Sequence, residues 1–329
     1  MRPSTSLCCL AALVAFALPS AQAADPNPIW SNPESARSEN PDFALQGEYG
    51  SAAPGAPTGV QVVALGGGKF EAHLLDGGLP GLGWTRDKKH TLLSGTGNAG
   101  TASFTSADGK IAATLANGKF SLTGAPALPR IERASPTLGA PAPAGAVVLF
   151  DGTTAENWDN GKVENGLLAA SNATSKPRFR NYSAHFEFRT PYKPFARGQD
   201  RGNSGIYHGG RWETQVLDSF GLKGEQNECG GIYSIAEPRL NMCLPPLTWQ
   251  TYDVDFTNAT FDAQGKQTAW PKISVNLNGV LIHDNLELNK ENTTAAPLGG
   301  PLKDEDRPLF IQNHGNPVLF RNIWVLPRK

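Results

Sequence analysis

Tyr182-Ser-Ala-His-Phe-Glu-Phe-Arg189 decides the fold class. Tyr182, Ala184, Phe186 and Phe188 fall on one side of an extended chain, and Ser183, His185, Glu187 and Arg189 on the other. Alternation with period 2 marks a strand with one face in a core and one outside it. The pattern returns where Ile273, Val275 and Leu277 alternate with Ser274, Asn276 and Asn278, and Asn278-Gly279 supplies a hairpin turn. It returns again over residues 318–326, and no long segment of period 3.6 appears. An all-β, antiparallel two-sheet β-sandwich follows, covering residues 146–329.

Upstream, Ser135-Pro-Thr-Leu-Gly-Ala-Pro-Ala-Pro-Ala-Gly145 is uncharged and rich in Pro, Ala and Gly, as a semi-rigid connector is. Residues 136–145 are therefore read as a linker. Before it, residues 41–135 carry short apolar runs split by glycines. Val60-Gln-Val-Val-Ala-Leu65, Gly66-Gly-Gly68 and Lys69-Phe-Glu-Ala-His-Leu-Leu75 make a hairpin signal. Further strands are expected at 101–105, 110–115 and 119–123, the last two joined by Asn117-Gly118. This is a small all-β module. Residues 24–40 are polar and Pro-rich, and are expected to be a leader without a fold of its own.

The first residues hold Arg2, an apolar run over residues 7–18, Pro19 and then Ala21-Gln22-Ala23. A positive start, a run too short to span a bilayer and a small-x-small site are the parts of a signal peptide. Residues 1–23 are expected to direct export to the periplasm or medium, leaving Ala24 first. Cys8 and Cys9 leave with them. Cys229 and Cys243 remain, and an oxidising compartment makes a single disulfide between them the economical reading. Two Cys without neighbouring His at ligand spacing make a poor zinc site.

Gly 36 and Pro 26 make 62 of 329 residues, well above the usual share of roughly 12%, which favours short strands and many turns over helical bundles. Lys+Arg 29 against Asp+Glu 30 gives a net charge of −1. That balance provides no broad basic field for nucleic acid. No other segment is long and apolar enough for a membrane anchor.

No Gly-rich phosphate loop, G-x-S-x-G elbow or H-E-x-x-H pair occurs, so any chemistry comes from dispersed polar groups on strands. The richest stretch runs from Arg201 to Asp218. Period 2 puts Glu213 and Gln215 on one face, with Asp218 near the strand end, and Trp212 on the opposite, core face. The bland alternative is an edge strand with its polar side in water. Gln312 and His314 share a parity with Phe310, and Gly315 suggests a tight turn holding the ring; a lone His is more often structural. Asn203 and His208 add an amide and an imidazole on a Gly-rich approach, where backbone can come close to a ligand. Trp249 and Trp270 suit stacking on a sugar face and suit a core equally well.

Together these pieces resemble a known family. Val148-Leu-Phe-Asp-Gly-Thr153, Gly202-Asn-Ser-Gly-Ile206, Trp212-Glu-Thr-Gln-Val-Leu-Asp218, Gly230-Gly-Ile-Tyr233, Trp249-Gln-Thr-Tyr252, Asn278-Gly-Val280, Gln312-Asn-His-Gly315 and Phe320-Arg-Asn-Ile323 occur in the order found in the 3-keto-disaccharide hydrolases, also described as 3-keto-glucoside lyase/hydratases. The resemblance covers residues 146–329 and implies a concanavalin A-like jelly roll. The 41–135 module resembles a small β domain preceding it in some secreted members. Family members often carry Asp where Asn313 stands.

The resemblance implies a glycoside substrate and a mechanism. A ketone at C3 acidifies the C2 proton; a base removes it, the enolate expels the C1 substituent, and water adds to complete a net hydrolysis. Such a site needs a base, donors for the enolate oxygen and an acid for the leaving group. Glu213 or His314 serves as the base and the other as proton donor; Glu213 is the expected base, and His314 the expected acid or oxyanion partner. Asn203, His208, Gln215, Asp218, Gln312 and Trp249 are the expected substrate contacts, with Asn203 and Gln215 donating to the oxyanion or to sugar hydroxyls. A divalent metal on the ketone is neither required nor excluded. Two other classes stay open: a two-carboxylate glycosidase on the same fold, and a non-catalytic carbohydrate-binding jelly roll.

Overall fold

Two hydrophobic cores organise the chain. The computed structural model describes residues 27–98 and 100–328; the expected signal peptide lies outside them.

The first core fills a closed barrel of eight antiparallel strands, Gly47–Tyr49, Thr58–Gly66, Lys69–Asp76, His90–Asn98, Thr101–Ser106, Ala112–Ala116, Lys119–Leu122 and Leu128–Ile131. The first strand closes on the last through Glu48 opposite Ile131. Val60, Val62, Phe70, Leu93, Phe104, Leu115 and Phe120 point inward. Gly67-Gly68 and Asn117-Gly118 turn their hairpins with positive φ at both residues (62° and 71°, 51° and 68°), the geometry that matches the right-handed twist of the flanking strands.

Residues 27–40, the described part of the expected leader, are ordered. Asn32 caps a helix over Pro33–Glu39 by accepting from the Glu34 and Ser35 amides, with Pro at the first turn, where its missing N–H costs nothing. A second short helix, Pro41–Leu45, follows. Trp30 exchanges both backbone hydrogen bonds with Tyr192 and donates its indole N–H to Glu39 Oε2 at 2.9 Å. Pro and Asn here start helices; composition alone reads them as a loop.

The second core lies between two antiparallel sheets. One has five strands in the order Trp158–Asp159, Ala173–Phe179, Arg307–Asn313, Ser204–His208, Trp212–Val216. The larger sheet runs Lys162–Glu164, Leu167–Ala169, Leu319–Arg328, Asn181–Arg189, Gln250–Thr257, Lys272–Leu277, Val280–Glu287, and Val147–Phe150 also pairs with Leu319–Arg328. Phe186, Phe188, Tyr252, Val254 and Phe256 of the larger sheet meet Ile206, Trp212, Leu309 and Ile311 of the smaller. Each fully buried aromatic or large aliphatic side chain there contributes roughly 1.5–3 kcal/mol of burial.

The linker is no free spacer. Ser135 and Thr137 hydroxyls bond Thr251 Oγ1 at 2.6 and 2.9 Å, and Thr137 donates to Asp253 Oδ2 at 2.6 Å. The Gly139 amide donates to Glu187 Oε1 at 2.5 Å, and the Ala140 carbonyl accepts from Asn322 and Trp324. Residues 135–140 thus form a strap across the outer face of the larger sheet, where the polar half of the Tyr182–Arg189 alternation meets its partners.

Cys229 and Cys243 are free thiols, both buried. The expected bridge is not formed. Cys229 Sγ instead shares a hydrogen bond with Tyr252 Oη at 3.3 Å, and Cys243 Sγ lies 3.5 and 3.6 Å from the Leu244 and Leu217 carbonyls. Among the described residues, no helix is long and apolar enough to cross a membrane.

Candidate active site

Ser204–His208 and Trp212–Val216 form a hairpin in which Tyr207 faces Glu213 and Gly205 faces Gln215; Gly205 also faces Gln312 on Arg307–Asn313. One parity, Ile206, His208, Trp212, Thr214 and Ile311, enters the core. The other leaves Asn203, Gly205, Tyr207, Glu213, Gln215 and Gln312 on the outer face of the five-stranded sheet. All but Gly205, which lies beneath the Glu213 carboxyl, line a cavity of about 130 Å3, completed by Gln199, Tyr233, Thr294, Ala295 and His314.

Three loops wall the cavity. Residues 230–233 pair with the edge of Trp212–Val216, through Gln215 N to Gly231 O and Tyr233 N to Glu213 O, which fixes Tyr233. Residues 293–298 are tied to the same hairpin by Thr293 N to Arg211 O and Leu298 N to Gly210 O. A 3-10 turn, Gly198–Asp200, carries Gln199.

Gly205 is the floor. A Cβ there would stand 2.0 Å from Glu213 Oε1, so the carboxyl can lie flat across the neighbouring strand only because Gly205 has no side chain. Glu213 is 3% exposed. Burial pushes its carboxyl up to about 8, against the lowering effect of a hydrogen bond from Tyr207. The Tyr207 hydroxyl lies 2.9 Å from Glu213 Oε2 and 3.2 Å from the Thr294 carbonyl, and accepts from Gln312 Nε2 at 3.1 Å. With Glu213 ionised, Tyr207 donates to it. With Glu213 protonated, Tyr207 can turn its proton to Thr294 and accept from the acid. Both states are therefore hydrogen-bonded, as a proton-transfer group requires. Burial, and then the charge of Glu213, push the Tyr207 phenol upward, so it stays protonated.

The amides face the opposite way from expectation. Gln199 Nε2 donates to the Asn227 carbonyl at 2.7 Å, which directs Gln199 Oε1 toward Asn203 Nδ2 at 3.1 Å and Gln215 Nε2 at 2.8 Å. A backbone carbonyl only accepts, so this orientation is fixed from its end. The atoms left without a partner are Asn203 Oδ1 and Gln215 Oε1. They are acceptors suited to sugar hydroxyls, and they would repel an enolate oxygen.

Glu213, Gln215, Gln312, Asn203 and His314 thus come together. His314 is exposed at the cavity mouth, just past the strand end, and its ring has no hydrogen-bond partner among the described residues. Three other expected contacts do not belong. His208 lies in the core on the opposite parity, sharing hydrogen bonds with Tyr182 Oη and Thr214 Oγ1, both at 2.9 Å, and burial lowers it to about 3. Asp218 is buried against Arg201 Nε at 2.8 Å. Trp249 lies between the Arg189 and Arg321 guanidinium groups, 4.9 and 4.1 Å from its ring centre, and does not line the cavity. Trp270 packs against the sandwich core.

Sequence reasoning missed Tyr207, Tyr233 and Gln199. The signal for Tyr207 was present: a Gly209-Gly210 turn places it across from Glu213. Tyr233 and Gln199 sit on loops, where no periodicity announces a facing. Among the described residues no group of three His, Cys, Asp or Glu side chains converges as a metal site requires; the cavity offers one carboxylate and one imidazole. This donor set does not fit a divalent metal.

A cavity of amides, hydroxyls and an imidazole around a single carboxyl thus opens on the outer face of a jelly roll. Residues 145–326 match the model of the 3-keto-alpha-glucoside-1,2-lyase-like domain, and the chain belongs to that carbohydrate-active family. A crystal structure of a provisionally named glycosyl hydrolase from Parabacteroides distasonis is similar, with 28% identity and a TM-score of 0.51 over 57% of this chain and 85% of that one. A second such structure from the same organism has 18% identity and a TM-score of 0.42, over 56% and 94%. No curated protein matches the chain.

Proposed function

We propose that this chain is an exported enzyme cleaving 3-keto-glycosides by elimination and hydration. The observation that carries the reading is Glu213: one buried carboxyl of raised proton affinity, the only carboxylate among the described residues of a cavity wall otherwise built of amides, hydroxyls and the His314 imidazole. A two-carboxylate glycosidase needs a second carboxyl about 5–9.5 Å away on the same cavity. Removing a proton beside a ketone needs one base, and a base near pH 8 is stronger than an ordinary carboxylate.

Glu213 takes the C2 proton, and the electron pair delocalises onto the C3 oxygen. Tyr233, which lines the cavity, supplies its hydroxyl as the donor to that oxygen in this reading. The enolate then re-forms the ketone and expels the C1 oxygen, whose leaving group takes a proton from His314 at the mouth. Water adds at C1 and gives a proton to His314, and Glu213, its proton exchanged with solvent after the elimination, protonates C2, which restores both groups. Asn203 Oδ1 and Gln215 Oε1 accept from sugar hydroxyls and hold the ring.

Turnover of a 3-keto-glucoside compared with its parent glucoside tests this. The enzyme cleaves the first only; a conventional glycosidase cleaves the second, and a binding module neither. Export is tested by sequencing the N-terminus of periplasmic protein, which should begin at Ala24.

A further inference from the structure

We propose that a cavity at the junction of barrel and sandwich is a second binding site, for a small, uncharged, planar aromatic molecule carrying oxygen acceptors. The cavity measures about 630 Å3, larger than the one at Glu213. Leu75, Pro80 and Trp84 come from the barrel side and Leu222 from a sandwich loop.

An aromatic cluster forms one wall. The His73 and His90 rings stack, 5.1 Å apart and 18° from parallel, and Trp84 stands edge-on to His90 at 80°. His73 Nδ1 and His90 Nε2 share a hydrogen bond at 2.9 Å. A further flat ring can extend such an array with offset or edge-to-face geometry.

The hydrogen-bond inventory sets the ligand's polarity. Most polar side chains on the wall are already committed, and its two charged groups outside Arg86 stand at the exposed rim, Glu237 in solvent and Lys223 paired with Glu225. Arg86 donates to the carbonyls of Gly224, Pro238 and Arg239, the Asn241 amide to those of Ser219 and Leu222, and the Gln61 amide to Glu48. Two buried nitrogens of lining residues have no hydrogen-bond partner among the described residues: Trp84 Nε1 and His73 Nε2. The indole N–H only donates. His73 Nε2 stands 3.7 Å from Glu71 Oε2, which favours the tautomer with its proton there. A pyranose, with several hydroxyls to satisfy, is poorly served by two donors. A purely aliphatic ligand leaves both unpaired. A flat ring with one or two oxygens meets both conditions. Burial keeps His73 neutral, down to about 4, and lowers His90 as well, consistent with an uncharged occupant.

The same sandwich loop serves both cavities. Leu222 and Asn241 line the junction, while Tyr233 lines the Glu213 cavity.

The test uses the full chain and 7-methoxycoumarin, neutral and fluorescent. Saturable binding of one molecule per chain is expected. Trp84→Ala and the cavity-filling Leu222→Trp, at a side chain that is 38% exposed, should each weaken it by about tenfold or more. Circular dichroism confirms that each variant is folded. Methyl glucoside should show no binding that Trp84→Ala removes. Absence of saturable coumarin binding overturns the proposal, as does binding that survives both substitutions or a sugar that binds in its place. Turnover at Glu213 enters none of these readouts, so a failure here leaves the proposed activity untouched.

Discussion

The carboxyl of Glu213 lies over the α-carbon of Gly205, two residues along the strand from its hydrogen-bond partner Tyr207. Gly205→Ala places a methyl where Oε1 now lies. The strand backbone tolerates Ala, so the fold should persist with its thermal midpoint within a few degrees. The carboxyl must move, and turnover of a 3-keto-glucoside should fall by about 10²-fold or more, as misplacement by an ångström does. Steady-state kinetics beside a thermal melt checks both halves.

Burial places the Glu213 carboxyl near pH 8, and a base acts only when ionised. The kcat/KM for a 3-keto-glucoside should rise with pH along a limb of apparent pKa about 8. Tyr207→Phe removes the hydrogen bond that lowers this value, so the limb should move to higher pH. A profile with no rising limb that Tyr207→Phe can move would show that Glu213 is not the base.

The same shift has a stability consequence. A carboxyl whose folded pKa is raised stabilises the fold below its unfolded value, near 4.5, and loses that contribution as pH rises through about 8. Glu213→Gln removes the cost of ionising a buried acid. At pH 9 the variant should melt higher than the parent, while at pH 4 the two should nearly coincide; differential scanning calorimetry at both values reads the difference.

Glu187 behaves in the opposite sense. Burial alone would push it up. Hydrogen bonds with His185, Asn322, the Gly139 amide and Arg321 outweigh this and hold it down at about 2. Its contribution is present above about 4.5 and is lost as pH falls toward 2. Since it grips the strap, Glu187→Ala should destabilise the sandwich by roughly 3 kcal/mol, as breaking a buried ionic cluster does. It should also expose residues 138–145 to limited proteolysis, as acidification should in the parent.

The sandwich was legible because its signal is local. Tyr182 to Arg189 and Ile273 to Asn278 alternate cleanly, and Asn278-Gly279 marks its own turn. Glu213 with Gln215, and Gln312 near His314, were legible for the same reason: parity decides facing. His208 was misplaced although parity held the answer, because its chemistry outweighed its register; it alternates with Tyr207, which faces the cavity. Asp218 and Trp249 sit beyond strand ends, where period 2 no longer applies. The helix at Pro33–Glu39 was hidden because Pro and Asn serve loops and helix starts alike. The strap was hidden because its hydrogen bonds go to Glu187, Asp253 and Asn322, all distant in sequence.

The central claim is that Glu213 moves the proton on C2 of a 3-keto-glycoside. Cleavage of a 3-keto-glucoside in D2O tests it most directly, with deuterium in the product located by NMR and the reaction repeated with Glu213→Gln. The account predicts one deuterium at C2 of the released 3-keto sugar, and turnover in the variant reduced by about 10²-fold or more. A product with hydrogen retained at C2, or a variant with near-full turnover, would contradict it.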